Sequence, residues 1–230
     1  MIRARVRLSF FVLIGTMSAI AVGAQSVAGR GAAPSFVRPA SPAKAPNADG
    51  FLQRWLLLEP IRVAGQLTDS AVQSAVKTEY FPNQFTTTVP RDGDTVTVAD
   101  SPLAWHAVDT TGYNVNLYHF AYGLKKPTSN VLFWIVTVVD SPREMSGVRL
   151  AIGSNAASVW WVNGREVIGI YNDRQTVIDD GVSKRLTLKQ GPNVIRAAIV
   201  NAGGATDFCA RFLDEDGQPV KAITISLMDR

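Results

Sequence analysis

The chain has 230 residues, 47% of them apolar, which suits one globular domain with a sizeable core. Its formal charge is +4, but Arg3, Arg5 and Arg7 supply most of that excess; beyond residue 24, 20 basic side chains face 19 acidic ones. So even a balance excludes the electrostatic footprint of a nucleic-acid binder or an anionic-membrane binder, and the single cysteine, Cys209, excludes an intrachain disulfide.

The three arginines precede an apolar run from Leu8 to Ala24 that ends in Val22-Gly23-Ala24. A charged start, an apolar stretch and a small-residue end predict a secretory signal peptide over residues 1–24. The run is short for a membrane span and is diluted by Gly15, Thr16 and Ser18. The expected product is a secreted or periplasmic protein of bacterial type, with no membrane span after cleavage. Residues 25–50 are rich in Ala, Ser, Gly and Pro and read as a disordered tether, so that order begins near Phe51 and one domain fills 51–230.

From Phe51 the chain is mostly short β segments. Arg54 to Val63 reads as a strand interrupted by Pro60. Asp69 to Tyr80 is the one good helix candidate, capped by Asp69 or Ser70, with Ala71, Val72, Ala75 and Val76 on one face. Short strands are expected at 95–99, 105–108 and 113–117. Val131 to Val139 is almost wholly apolar, as expected of a strand buried on both faces. Strands at 148–153, 158–162 and 166–171 follow, the last two joined at Asn163-Gly164, a strong hairpin signal because both residues tolerate positive φ. Segments 185–188, 193–200, 207–213 and 220–227 complete the series, with turns at Gln190-Gly191-Pro192 and Asp216-Gly217. The pattern predicts an all-β fold, a jelly-roll β-sandwich of roughly eight or more short strands with one short helix.

The second half carries a recognisable rhythm. Val148-Arg149-Leu150-Ala151-Ile152-Gly153-Ser154 leads to Trp161-Val162-Asn163-Gly164-Arg165-Glu166-Val167, then Asp173-Arg174, Leu188-Lys189-Gln190-Gly191-Pro192-Asn193 and Phe208-Cys209-Ala210-Arg211-Phe212. In this it resembles the galactose-binding-like jelly-roll modules of secreted bacterial glycoside hydrolases and carbohydrate esterases. The resemblance covers most of 51–230. It departs at Gly153-Ser154-Asn155-Ala156, where many such modules have Gly-Ser-Asp-Asp. It implies a carbohydrate-binding-like module that recognises glycan through loops and works alone or beside a partner enzyme.

The residues themselves give little sign of catalysis. There is no Gly-x-Ser-x-Gly elbow, and the only histidines, His106 and His119, sit among aromatic residues and read as structural. The acids Asp100, Asp109, Asp173, Asp179, Asp180 and Asp207 fall mostly in expected turns, where carboxylates serve the local backbone. Two histidines and one cysteine disfavour zinc; Asp92-Gly93-Asp94 and Asp179-Asp180-Gly181 offer oxygen ligands for a structural calcium but no full set, and no other cofactor is expected. Cys209 reads as a small buried hydrophobe. The candidate ligand contacts are therefore Asn155, Trp160, Tyr171, Asp173, Arg174, Asp179 and Asp180, with Trp160 or Tyr171 as a stacking platform and the Asp-Arg segment as hydrogen-bonding partner. Trp161, facing with Val159, is expected in the core, and Trp160 on the opposite face. A structural or protein-interaction sandwich is the second expectation, and an esterase of the acetyl xylan type the third.

Overall fold

Val131–Ser141 is apolar on both faces because it lies inside an 11-stranded antiparallel sheet with a packed layer on either side. The computed structural model describes residues 36–63, 68–155, 157–172 and 174–227. All belong to the compact unit that begins at Pro34. The expected signal segment, 1–24, lies outside the described residues, as do tether residues 25–35.

In chain order the strands are β1 (Phe36–Val37), β2 (Ala43–Lys44), β3 (Arg54–Leu58), β4 (Ile61–Arg62), β5 (Thr95–Val98), β6 (Ser101–Thr110), β7 (Val115–Asn116), β8 (Val131–Ser141), β9 (Met145–Ser154), β10 (Ala157–Val162), β11 (Arg165–Ile170), β12 (Gly181–Val182), β13 (Leu186–Leu188), β14 (Gly191–Asn201), β15 (Asp207–Leu213) and β16 (Thr224–Ser226). The helices are α1 (Asp69–Lys77) and α2 (Leu117–Gly123). The large sheet runs β1-β6-β3-β8-β14-β10-β11; the small one runs β12-β9-β15-β7, with β13 also on β9. Between them lies the first core, built from alternate residues such as Trp55, Phe133, Ile135, Leu150, Trp160, Phe208 and Phe212. The fold is thus the all-β sandwich that the strand pattern predicts.

A third layer covers the outer face of the large sheet. Here α1 and the segment from Tyr80 to Val98 pack Val72, Val76, Phe81 and Val96 on Trp105, Trp134, Val136 and Val159. Helix α1 is capped by Thr68 Oγ1, which accepts from Ala71 N at 3.3 Å, one residue earlier than expected. Of its expected apolar face, Val72, Ala75 and Val76 are buried. The β10–β11 hairpin turns at Asn163 (φ 52°) and Gly164 (φ 79°), as the Asn-Gly pair predicts.

Three expectations need correction. Residues 36–50 are not a tether. β1 pairs with β6 and β2 with β16, while Arg54 Nη1 donates to Ser41 O at 2.8 Å and anchors the turn between them. Strand pairing and this charge-assisted bond supply the ordering energy that composition alone does not reveal. Second, the 113–117 strand shrinks to two residues and a second helix follows. Asn116 Oδ1 caps it by accepting from His119 N at 2.7 Å, and Leu117, Phe120 and Ala121 line its buried face. Third, the tryptophan that fills the sandwich is Trp160, fully buried; Trp161 packs half-buried under the third layer, stacked on Trp134 at 5.4 Å and edge-on to Phe85 at 6.1 Å. The alternation along β10 is as expected, but only tertiary packing decides which face turns toward the small sheet.

Candidate functional site

Of the loop residues nominated by the sequence, Arg174 and Asp180 pair with each other and Asp179 with Arg211 of the small sheet. Residues 174–180 cross the outer face of β9 and β15. They pass so close that a Cβ on Gly153 would stand 2.3 Å from Val177 O, which explains the glycine of the Gly-Ser pair. Arg211 Nε donates to Asp179 Oδ1 at 3.0 Å, and its guanidinium lies 4.8 Å over the Phe51 ring. Hydrogen bonding from Asp179 holds the Arg211 pKa above its ordinary value despite some burial. Arg174 pairs with Asp180, and Thr176 Oγ1 donates to Asp207 Oδ1. Asn155 uses its backbone N–H on Asp207 O at 2.9 Å. Asp173 lies outside the described residues. Tyr171 is half-buried against the second core, and that burial, with the nearby Glu166 charge, raises its pKa. Trp160 offers no stacking surface at all: it is enclosed by Trp55 and Phe208, and its Nε1 donates to Ser158 Oγ at 3.0 Å.

The aspartates proposed for calcium are engaged in the same way. Asp92 accepts from Arg38 at 2.8 Å and from Ala107 N at 2.9 Å, and Asp94 accepts from Arg91 N at 2.7 Å.

Beneath residues 174–180, Cys209 is buried beside Gly153. Burial pushes its thiol pKa up to about 11, leaving essentially no thiolate at neutral pH. Native protein at pH 8 is therefore expected to resist a thiol reagent that labels it stoichiometrically in denaturant. Rapid native labelling would show that the 174–180 segment opens.

The histidines, which the sequence treats as structural, meet at one groove. It has a volume of about 470 Å³ and lies between β1, β6 and α2. Phe36, Val108 and Phe120 give it an apolar floor, and His106, His119, Arg38 and Asp92 carry its polar groups. Phe120 meets Phe36 and His106 edge-on, with centroids 6.3 and 5.6 Å away. His106 Nε2 lies 3.4 Å from Glu59 Oε1, whose other oxygen pairs with Lys126 at 2.8 Å. Burial opposes ionisation of Glu59, but Lys126, the Ala104 backbone and His106 together outweigh it and hold its pKa below the usual value. No serine or cysteine lines this groove among the described residues.

Beside the groove, α2 presents Tyr118 and Tyr122 with their rings within 8° of parallel and centroids 6.1 Å apart. Tyr122 is 68% exposed, the most open large hydrophobic side chain in the described fold. These residues were missed because 113–117 reads as a strand. The i, i+4 spacing of the two tyrosines becomes a signal only once Asn116 is recognised as a helix cap. A larger cleft, about 750 Å³, lies between β11 and the segment 184–187, rimmed by Arg165, Glu166, Lys184 and Arg185, but no aromatic ring lines it.

Geometry and topology define the class: an antiparallel β-sandwich with a third covering layer and an aromatic-flanked surface groove. No protein-family model and no curated protein matches the sequence. Among solved structures, the chain is similar to the PA14 domain of the antifreeze protein MpAFP (13% identity, 74% of this chain and 89% of that one, TM-score 0.43). It is also similar to the PA14 sugar-binding domain from an RTX adhesin (12%, 74% and 94%, TM-score 0.42). A third is a β-glucosidase from Kluyveromyces marxianus (15%, 70% and 16%, TM-score 0.37).

Proposed function

We propose that the protein is an exported, non-catalytic carbohydrate-binding module of galactose-binding-like type, and that it meets glycan at the groove between β1, β6 and α2. The observation that carries this reading is the parallel Tyr118–Tyr122 pair, with Tyr122 exposed, beside a groove lined by His106, His119 and the Arg38–Asp92 ion pair. An open aromatic face is costly in water and suited to the apolar C–H face of a pyranose. Polar side chains that fix orientation around an apolar floor are what a small-ligand site requires. Export is supported by the signal-like start. Among the described residues no helix is long and apolar enough to cross a membrane. A partner enzyme that would use the bound glycan belongs to the same proposal.

A glycan array probed with the mature protein tests this. Binding is expected to a restricted set of neutral glycans. Tyr122→Ala and His119→Ala, both at exposed positions, are each expected to weaken it about tenfold, or roughly 1.4 kcal/mol, with the Tm unchanged. Silence across the array, or full affinity in both variants, refutes the assignment.

A further inference from the structure

Among the described residues two arginines are buried, and they are treated differently. Arg54, 1% exposed, is held by both oxygens of Asp109. Arg196, 3% exposed, forms no ion pair among the described residues. Its Nη1 donates to Gln84 O at 2.7 Å and its Nη2 to Thr88 O at 2.6 Å, while its Nε has no partner. A guanidinium has five N–H donors, so three have no acceptor among the described residues. Burying a cation with neither a counter-charge nor full hydrogen bonding is costly. Consistent with that, burial drags its pKa down to about 10.

Arg196 lies in the wall of an open pocket of about 450 Å³ lined also by Phe81, Trp105, Asn83 and Asp94. Trp134, on the same face of the neighbouring strand, meets Phe81 edge-on at 6.4 Å, and its Nε1 also lacks a partner. A buried guanidinium in the pocket wall that can only donate, and is not fully hydrogen-bonded, asks for an acceptor-rich anion. The Phe81 and Trp105 rings in the wall suit the C–H face of a sugar ring that carries the charge.

We propose that this pocket binds a small carboxylate-bearing ligand of the uronic-acid class, with its carboxylate directed to Arg196. The site is separate from the α2 groove and does not depend on that reading. Asp94 is the one acid in its wall. It is engaged with Arg91 N, and its charge opposes the incoming carboxylate.

The test is titration of the mature protein with glucuronate and with glucose, followed by the indole N–H signals of the five tryptophans. Glucuronate is expected to bind at least tenfold more tightly than glucose. It should shift the Trp105 signal, in the pocket wall, and leave Trp55 and Trp160, inside the sandwich, unmoved. Arg196→Gln should abolish the preference, and Asp94→Asn should strengthen glucuronate binding several-fold. If Arg196→Gln fails to fold, Asp94→Asn decides. Equal affinity for the two sugars, or unchanged affinity in Asp94→Asn, overturns the proposal. Tyr122→Ala is expected to leave glucuronate binding intact, so failure here and failure of the groove are read separately.

Discussion

Replacing Trp160 by alanine is expected to cost about 3–5 kcal/mol. The ring is fully buried where the two sheets meet. Trp55 stands edge-on at 6.2 Å, Phe208 at 5.6 Å, and these two touch each other at 5.1 Å. Its Nε1–H is satisfied by Ser158. Truncation would leave a cavity whose walls belong to both sheets and to β3 in particular, so collapse around it is limited, and Ser158, itself fully buried, would lose its partner. For a chain of this size the loss corresponds to roughly 6–20 °C in Tm. Trp161→Ala is expected to cost clearly less, because that ring is half-exposed and its loss opens the third layer toward solvent. Thermal melts of the two single variants decide the matter. A larger loss at Trp161 than at Trp160 would mean that the hairpin faces are assigned the wrong way round.

The second large effect is expected at Asp109. Its two oxygens accept from Arg54 Nε at 2.8 Å and Nη2 at 2.9 Å, and Lys44 lies 3.6 Å away. Arg54 also reaches Ser41 O, so the pair ties β3 and β6 to the segment between β1 and β2. Asp109→Ala leaves a buried guanidinium without its counter-charge, and about 3–5 kcal/mol of stability is expected to go with it. The pair itself need not be worth that much. Replacing both residues by apolar ones, as in Arg54→Met with Asp109→Leu, is expected to recover most of the loss, since neither charge is then left alone. Urea unfolding of the two singles and the double measures the coupling directly. A double variant no more stable than Asp109→Ala would show that the tie to Ser41 and Lys44, rather than the stranded charge, dominates.

The strands were legible where one physical rule sufficed. Asn163-Gly164 tolerates the positive φ that the hairpin needs, and the strand expected at 207–213 is found over Asp207–Leu213. α2 was not legible in the same way. Its sequence, rich in aromatics, has weak helix propensity, and the Asn116 cap and burial of Leu117, Phe120 and Ala121 against the fold overrule it. The nominated ligand residues illustrate a second difficulty. Arg174, Asp179 and Asp180 are polar, loop-borne and close in sequence, as binding residues are, yet each is taken up by an intramolecular ion pair. Local sequence shows which groups are present and hides which of them are already answered.

By itself, then, the sequence determined the longer strands, the dominance of β structure and a strand between two packed layers, because side-chain period and turn chemistry act over a few residues. Only tertiary structure decided that Trp160 rather than Trp161 faces the small sheet. It also decided that residues 36–50 join the large one, and that His106 and His119 line one groove with the Tyr118–Tyr122 pair beside it on α2. Each of those outcomes depends on partners tens of residues away in the chain, whose identity no local period encodes.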